Sequence, residues 1–146
     1  MYKCKYFRIE ELVSQDVYNY YGEGRCWQFF NPDLLKTIDD IREHFNKPIT
    51  INTWLWGGLF HQRGLRANLD GLVVQKTNQG KYYISEHCLG RAVDFDVEGY
   101  TAEKVRQEIF KNKDKFPHIR RIEDNVNWIH IDLKPTDYDG IYLFKP

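Results

Sequence analysis

A chain of 146 residues with 21 acidic and 21 basic side chains carries no formal net charge, which argues against a strongly basic nucleic-acid binder. Its 42% hydrophobic and 29% charged content is that of a folded globular domain, not a disordered one. No apolar run approaches the roughly 20 residues needed to span a bilayer, so no membrane insertion is expected.

At this length one domain, residues 1–146, is the natural unit, with 1–30 as an N-terminal arm and 31–146 as the core. The opening MYKCKYFRIEEL lacks the apolar stretch of a signal peptide, which predicts cytoplasmic synthesis without an export leader. Cys4, Cys26 and Cys88 are too few and too far apart for a disulfide framework, and no CxxC pair suggests a zinc finger. All three are expected as reduced thiols, with Cys88 buried.

In chain order, FRIEELVSQDVYNY (7–20) has no clear period and fits a short helix or an irregular arm, and YGEG (21–24) reads as a loop. The first clear helix is NPDLLKTIDDIREHFNKP. Asn31 caps it, Pro32 suits its first turn, and Leu34 or Leu35, Ile38, Ile41 and Phe45 recur on one side; Asn46 and Pro48 stop it. ITINTW (49–54) alternates as a strand. Residues 55–80 are glycine-rich and read as a long excursion with a short strand at 72–75; so long a loop has a functional reason or conceals further structure.

A strand follows at 91–98, broken by Gly99. Thr101 then caps a second helix with Ala102, Val105 and Ile109 facing inward. Strands near 118–123 and at 127–133 are joined through EDNVN as a hairpin. Two helices against a small, largely antiparallel sheet make an α+β fold.

Within SEHCLGRAVDFD (85–96), Val93, Phe95 and Val97 alternate, so Asp94 and Asp96 point to the opposite face. In NWIHIDL, Ile129, Ile131 and Leu133 define one face and leave Trp128, His130 and Asp132 on the other. A solvent face has no special use for a tryptophan, so these three suggest a cleft. Taken singly, His87 reads as a surface or hydrogen-bonding residue and Asp94 as a solvent-facing or loop-capping one. Taken together, His87, Asp94 and His130 supply two imidazoles and a carboxylate, an open zinc set with one position left over. Periodicity permits that site without placing the two strands side by side.

The paired pattern Ser85-x-His87-x-x-Gly90-x-Ala92-x-Asp94 and Trp128-x-His130-x-Asp132 resembles the signature of the zinc D-Ala-D-Ala carboxypeptidases, peptidase family M15. The likeness is strongest to the small branch of phage and bacterial cell-wall peptidases and runs from the first helix to residue 133. It implies a fold like that of the D-Ala-D-Ala peptidases and hedgehog domains. It also implies a Zn2+ ion on His87, Asp94 and His130, and a peptidoglycan stem peptide as the partner.

By the same resemblance Gly90 turns the chain into the strand carrying Asp94, small Ala92 leaves room before the metal, Asp132 orients an imidazole and Ser85 lies near the ion. Each has a plainer reading: a turn glycine, a packing alanine, a salt-bridge acid, a loop hydroxyl.

Family members place an acid three residues before the last histidine. Here Asn127 stands there, and an amide cannot take up a proton in that role. The nearest upstream acids are Glu123, the first choice as general base, and Asp124, the second; both otherwise read as turn decoration. The resemblance also implies an upstream arginine for substrate carboxylate or oxyanion. GGLFHQRGLRANLD offers Arg63 and Arg66, of which Arg66 fits the pattern better, and His61 is required by nothing. Trp54, Trp56 and Trp128 suit either a groove or the core.

The expected function is zinc-dependent hydrolysis of a peptide bond in bacterial peptidoglycan, as a carboxypeptidase or endopeptidase, by a monomer released to the wall on phage lysis. The alternatives are a catalytically inactive zinc-binding module and a virion-associated structural component.

Overall fold

The computed structural model covers residues 1–146. Four helices pack with a five-stranded mixed sheet: α1 (Gln15–Cys26), α2 (Pro32–Phe45), β1 (Ile49–Thr50), α3 (Gly71–Asn78), β2 (Ala92–Val97), α4 (Ala102–Lys111), β3 (Arg121–Glu123), β4 (Ile129–Asp132) and β5 (Tyr142–Phe144). The sheet order is β1-β2-β4-β3-β5, antiparallel except for the parallel β3–β5 pair. The α+β expectation holds at that level. No helix is long and apolar enough to cross a membrane.

The two expected helices are α2 and α4, and both begin as read. Asn31 Oδ1 accepts from Asp33 N at 2.8 Å with Pro32 at the first helical position, and Thr101 Oγ1 accepts from Lys104 N at 3.2 Å. Leu34, Leu35, Ile38, Ile41 and Phe45 of α2 join Val105 and Ile109 of α4 in one core with Val93, Phe95 and Val97 of β2. Burying those strand side chains under the helices leaves the alternate positions of β2 and β4 to form a second, polar face.

Within the N-terminal 30 residues, Phe7, Ile9, Leu12, Val13, Val17, Cys26, Trp27 and Phe30 belong to the core, and the helical alternative for 7–20 is realised in part. Three local readings are corrected. α1 starts at Ser14, whose Oγ accepts from Val17 N, and runs through the supposed YGEG loop, kinked where Gly22 takes φ +79°. The strand expected over 49–54 ends at Thr50 because Asn52 is buried and bonded elsewhere. Its Nδ2 donates to Val13 O and its own amide to Glu11 O, so the chain leaves the sheet for the N-terminal segment. Finally, 72–75 is helix α3, not strand. Gln62 Oε1 takes the Leu72 amide at 2.6 Å, and only Val73 of the apolar run is buried.

Gly90 is where the fold leaves no choice of residue. It has φ +65°, and a Cβ there would overlap the carbonyl oxygen of Phe29; its own carbonyl receives the Asn31 amide at 3.0 Å. Gly90→Ala should therefore cost about 3 kcal/mol or more, combining backbone strain with overpacking against a rigid backbone atom. Urea denaturation reads this directly, and a loss under about 1 kcal/mol would mean that the turn can relax.

Candidate metal centre

β2 and β4 are adjacent and antiparallel, with Asp94 directly opposite His130 and Ala92 opposite Asp132. That register supplies what alternation alone left open. The third residue, His87, arrives on the turn before β2, closed by Gly90. His87, Asp94 and His130 are all buried and can together hold a metal ion.

Two of the three separations fit one, and the third is that of a hydrogen bond. His130 Nδ1 lies 2.7 Å from Asp94 Oδ1, His87 Nε2 lies 3.3 Å from the same oxygen, and the two ring nitrogens are 3.3 Å apart. Ligand atoms on a tetrahedral zinc, with bonds of about 2.0–2.1 Å, sit about 3.3 Å from one another. The outer atoms of both rings are already engaged. His87 Nδ1 donates to Gly64 O at 2.8 Å, and His130 Nε2 donates to Asp132 Oδ2 at 2.8 Å. A carbonyl and a carboxylate can only accept, so each neutral ring keeps its lone pair aimed inward. Three electron-rich atoms converging in a buried space call for a cation, or for a proton on His130 Nδ1.

Their electrostatics agree. Burial pushes the Asp94 carboxyl up, but the neighbouring His130 and His87 rings outweigh it and hold the group well below the usual carboxylate range. Burial lowers His87 despite Asp94. His130 is also disfavoured by burial, yet Asp132 and Asp94 push it up to about 9. Without a metal the site is therefore held together by one proton, carried by His130.

A ring of further contacts fixes these ligands. Arg66 donates from Nη2 to Asp94 Oδ2 at 3.1 Å, from Nη1 to the Tyr83 hydroxyl at 2.5 Å and from Nε to Gln62 O at 2.8 Å. Asp94 is thereby turned so that Oδ1 faces the imidazoles. Asp132, fully buried, is gripped by Arg121 from the paired position on β3: Nε reaches Oδ1 at 2.9 Å and Nη2 reaches Oδ2 at 2.6 Å. Arg121 lies over the Phe144 ring at 4.3 Å, and the same ring meets His130 edge-on at 5.6 Å.

Arg121→Leu would strip a buried carboxylate of its partner and loosen His130. Metal affinity should fall about 10–100-fold, measured by competition with a coloured chelator. An unchanged affinity would show that Asp132 needs no help in orienting the ring.

The centre opens into a cleft of about 350 Å³ whose walls include Arg66, Ser85, Glu123, Trp128 and Lys134. Glu123 makes no ion pair or side-chain hydrogen bond, and burial raises its carboxyl above the ordinary value against the pull of His130. Asp124, the second choice as base, faces elsewhere. Its Oδ1 is 3.9 Å from Arg106 Nε, beside α4 and outside the cleft. Asn127 lines a separate cavity with Asp96, Val97 and Tyr100, so this fold does not aim that position at the metal centre.

Arg63 is likewise excluded, its guanidinium paired with Asp96 at 2.8 Å, and His61 is exposed. Trp128 lines the cleft, Trp54 donates to Val13 O, and Trp56 is exposed. The three cysteines are free, and Cys88 is half-buried, not buried, with its sulfur 3.5 Å from Ser85 Oγ.

Sequence reading missed Gly64, Tyr83, Arg121 and Phe144. Only Phe144 had a signal, the apolar run IYLF after Gly140, which forms β5. No protein-family model, curated protein or solved structure matches the chain.

Proposed function

We propose that this chain is a zinc-dependent peptidase that hydrolyses a peptide bond in bacterial peptidoglycan. One observation carries the reading: the open two-histidine, one-aspartate set shares its cleft with Glu123, a carboxylate that no cation or hydrogen bond has claimed. Two imidazoles and one carboxylate suit a borderline-soft ion, and a zinc ion bound there supplies Lewis-acid polarisation of a carbonyl and acidification of water. Glu123 takes the proton from the attacking water as its oxygen bonds to the carbonyl carbon. As the C–N bond breaks, Glu123 returns that proton to the leaving amine. Three of the five Arg66 N–H groups hold Tyr83, Gln62 and Asp94; the two others are available to the oxyanion or a substrate carboxylate.

The wall substrate rests on the resemblance of the two motifs to the M15 peptidases. A phage product of this kind would meet that substrate when released at lysis. The test is digestion of purified peptidoglycan from several wall types by the zinc-loaded protein, with fragments identified by mass. The reading expects fragments that differ by one water across a single peptide bond and that vanish on chelation. Stoichiometric zinc without cleavage of any wall would favour the zinc-binding module or the virion-associated component.

A further inference from the structure

Between α3 and His87 the chain passes through Lys81-Tyr82-Tyr83-Ile84-Ser85 without joining a helix or strand. The amides of residues 82–85 donate no hydrogen bond within the protein, and the carbonyls of Tyr82 and Ile84 accept none. Exposure alternates from Tyr82 onward: Tyr82 is 99% and Ile84 77% exposed, while Tyr83 and Ser85 are half-buried. Tyr83 is pinned inward by its hydroxyl, which accepts from Arg66, the residue that also holds Asp94. The stretch then runs straight into the cleft, where Ile84 and Ser85 stand in the wall with His87.

An ordinary surface loop gives its polar backbone to water. This one differs in being fixed from within by the metal centre's own arginine, in alternating like a strand, and in ending at a metal ligand. We infer that residues 81–85 are the docking edge for the substrate main chain, which adds to them as an extended strand. Backbone pairing supplies affinity without demanding particular side chains, while exposed Tyr82 and Ile84 give apolar contact to alternate substrate residues. The substrate class follows: an extended peptide of several residues, not a free dipeptide. This inference rests on the peptidase reading for the position of the cut bond.

The test compares affinities of the zinc-loaded protein for alanine and tetraalanine probes. Each carries a hydroxamate at its C-terminus or, to sample the other side of the cut, a hydroxamoyl group at its N-terminus. In one of the two directions the tetrapeptide should bind about tenfold or more tightly than the single residue, the equivalent of about two net hydrogen bonds. Methylating the tetrapeptide nitrogens should abolish that ratio, and Ile84→Pro, which removes one donor, should reduce it to below about threefold. Equal affinity for long and short probes in both directions would overturn the inference.

If no hydroxamate binds, the metal reading has failed separately. Amide NMR shifts then decide, with uncharged N-acetyl-tetraalanine amide titrated into metal-free protein. Shifts confined to residues 82–85 support the docking edge, and their absence overturns it.

Discussion

Replacing Glu123 by glutamine should lower kcat by roughly 10²- to 10⁴-fold, the usual contribution of a positioned proton-transfer group, while zinc content stays at that of the wild type. The separation follows from the geometry, since Glu123 lines the cleft but is no member of the ligand set. His130→Ala should instead remove metal and activity together. The pH profile provides a second reading of the same residue. Burial raises the Glu123 carboxyl, so the acid limb of kcat/KM should lie above the value of an ordinary glutamate and disappear in the glutamine variant. Unchanged turnover in Glu123→Gln would sink the assignment, and Asp124, turned toward Arg106, is badly placed to replace it.

Zinc affinity should fall about tenfold for each unit of decreasing pH below about 9. The cause is the proton on His130, whose value is pushed up to about 9 in the metal-free site and which must leave before Nδ1 can bind an ion. Calorimetry in buffers of different ionisation enthalpy should count about one proton released per zinc near pH 7. A flat affinity between pH 6 and 8 would mean that His130 is already neutral.

Stability of the metal-free protein has the matching sign. The raised His130 stabilises fully below its unfolded value of about 6.5, and that share is lost as pH rises through about 9. The depressed Asp94 and Asp132 stabilise above their unfolded value of about 3.8, a share lost as pH falls. Burial-lowered His87 acts in the opposite sense, withdrawing stability as pH falls below its unfolded value of about 6.5. Metal-free protein should therefore melt highest at about pH 6.5, and zinc should extend that range upward.

The parts of this fold visible in sequence are those in which local chemistry and tertiary packing ask for the same thing. Asn31 and Thr101 cap helices wherever they are placed, and Val93-x-Phe95-x-Val97 buries one face in any sheet. Asp94 could be seen to leave that face, but its destination depended on β4 lying beside β2, a non-local pairing that no period records. The misread segments are those in which a distant partner overruled local preference. Asn52 left a plausible strand to satisfy Val13 and Glu11, and the β-branched pair Val73-Val74 went helical once Gln62 held the Leu72 amide.

Gly64 and Arg121 were illegible for a related reason. Each acts through a single atom or fork on a histidine or aspartate far away in sequence, and nothing in the neighbouring residues marks it. The glycine-rich stretch 55–80, too long to be idle, serves the site by delivering Gly64 O to His87 and Arg66 to Asp94.

The central claim is that His87, Asp94 and His130 form an open zinc centre, and X-ray absorption at the zinc edge tests it most directly. For protein loaded with one equivalent of zinc, a shell of nitrogen and oxygen at about 2.0–2.1 Å with the outer-shell scattering of two imidazoles is predicted. That imidazole scattering should be lost together with the zinc in His130→Ala. A sulfur shell near 2.3 Å, which would implicate Cys88, or a spectrum unaffected by the loss of His130, would contradict the account.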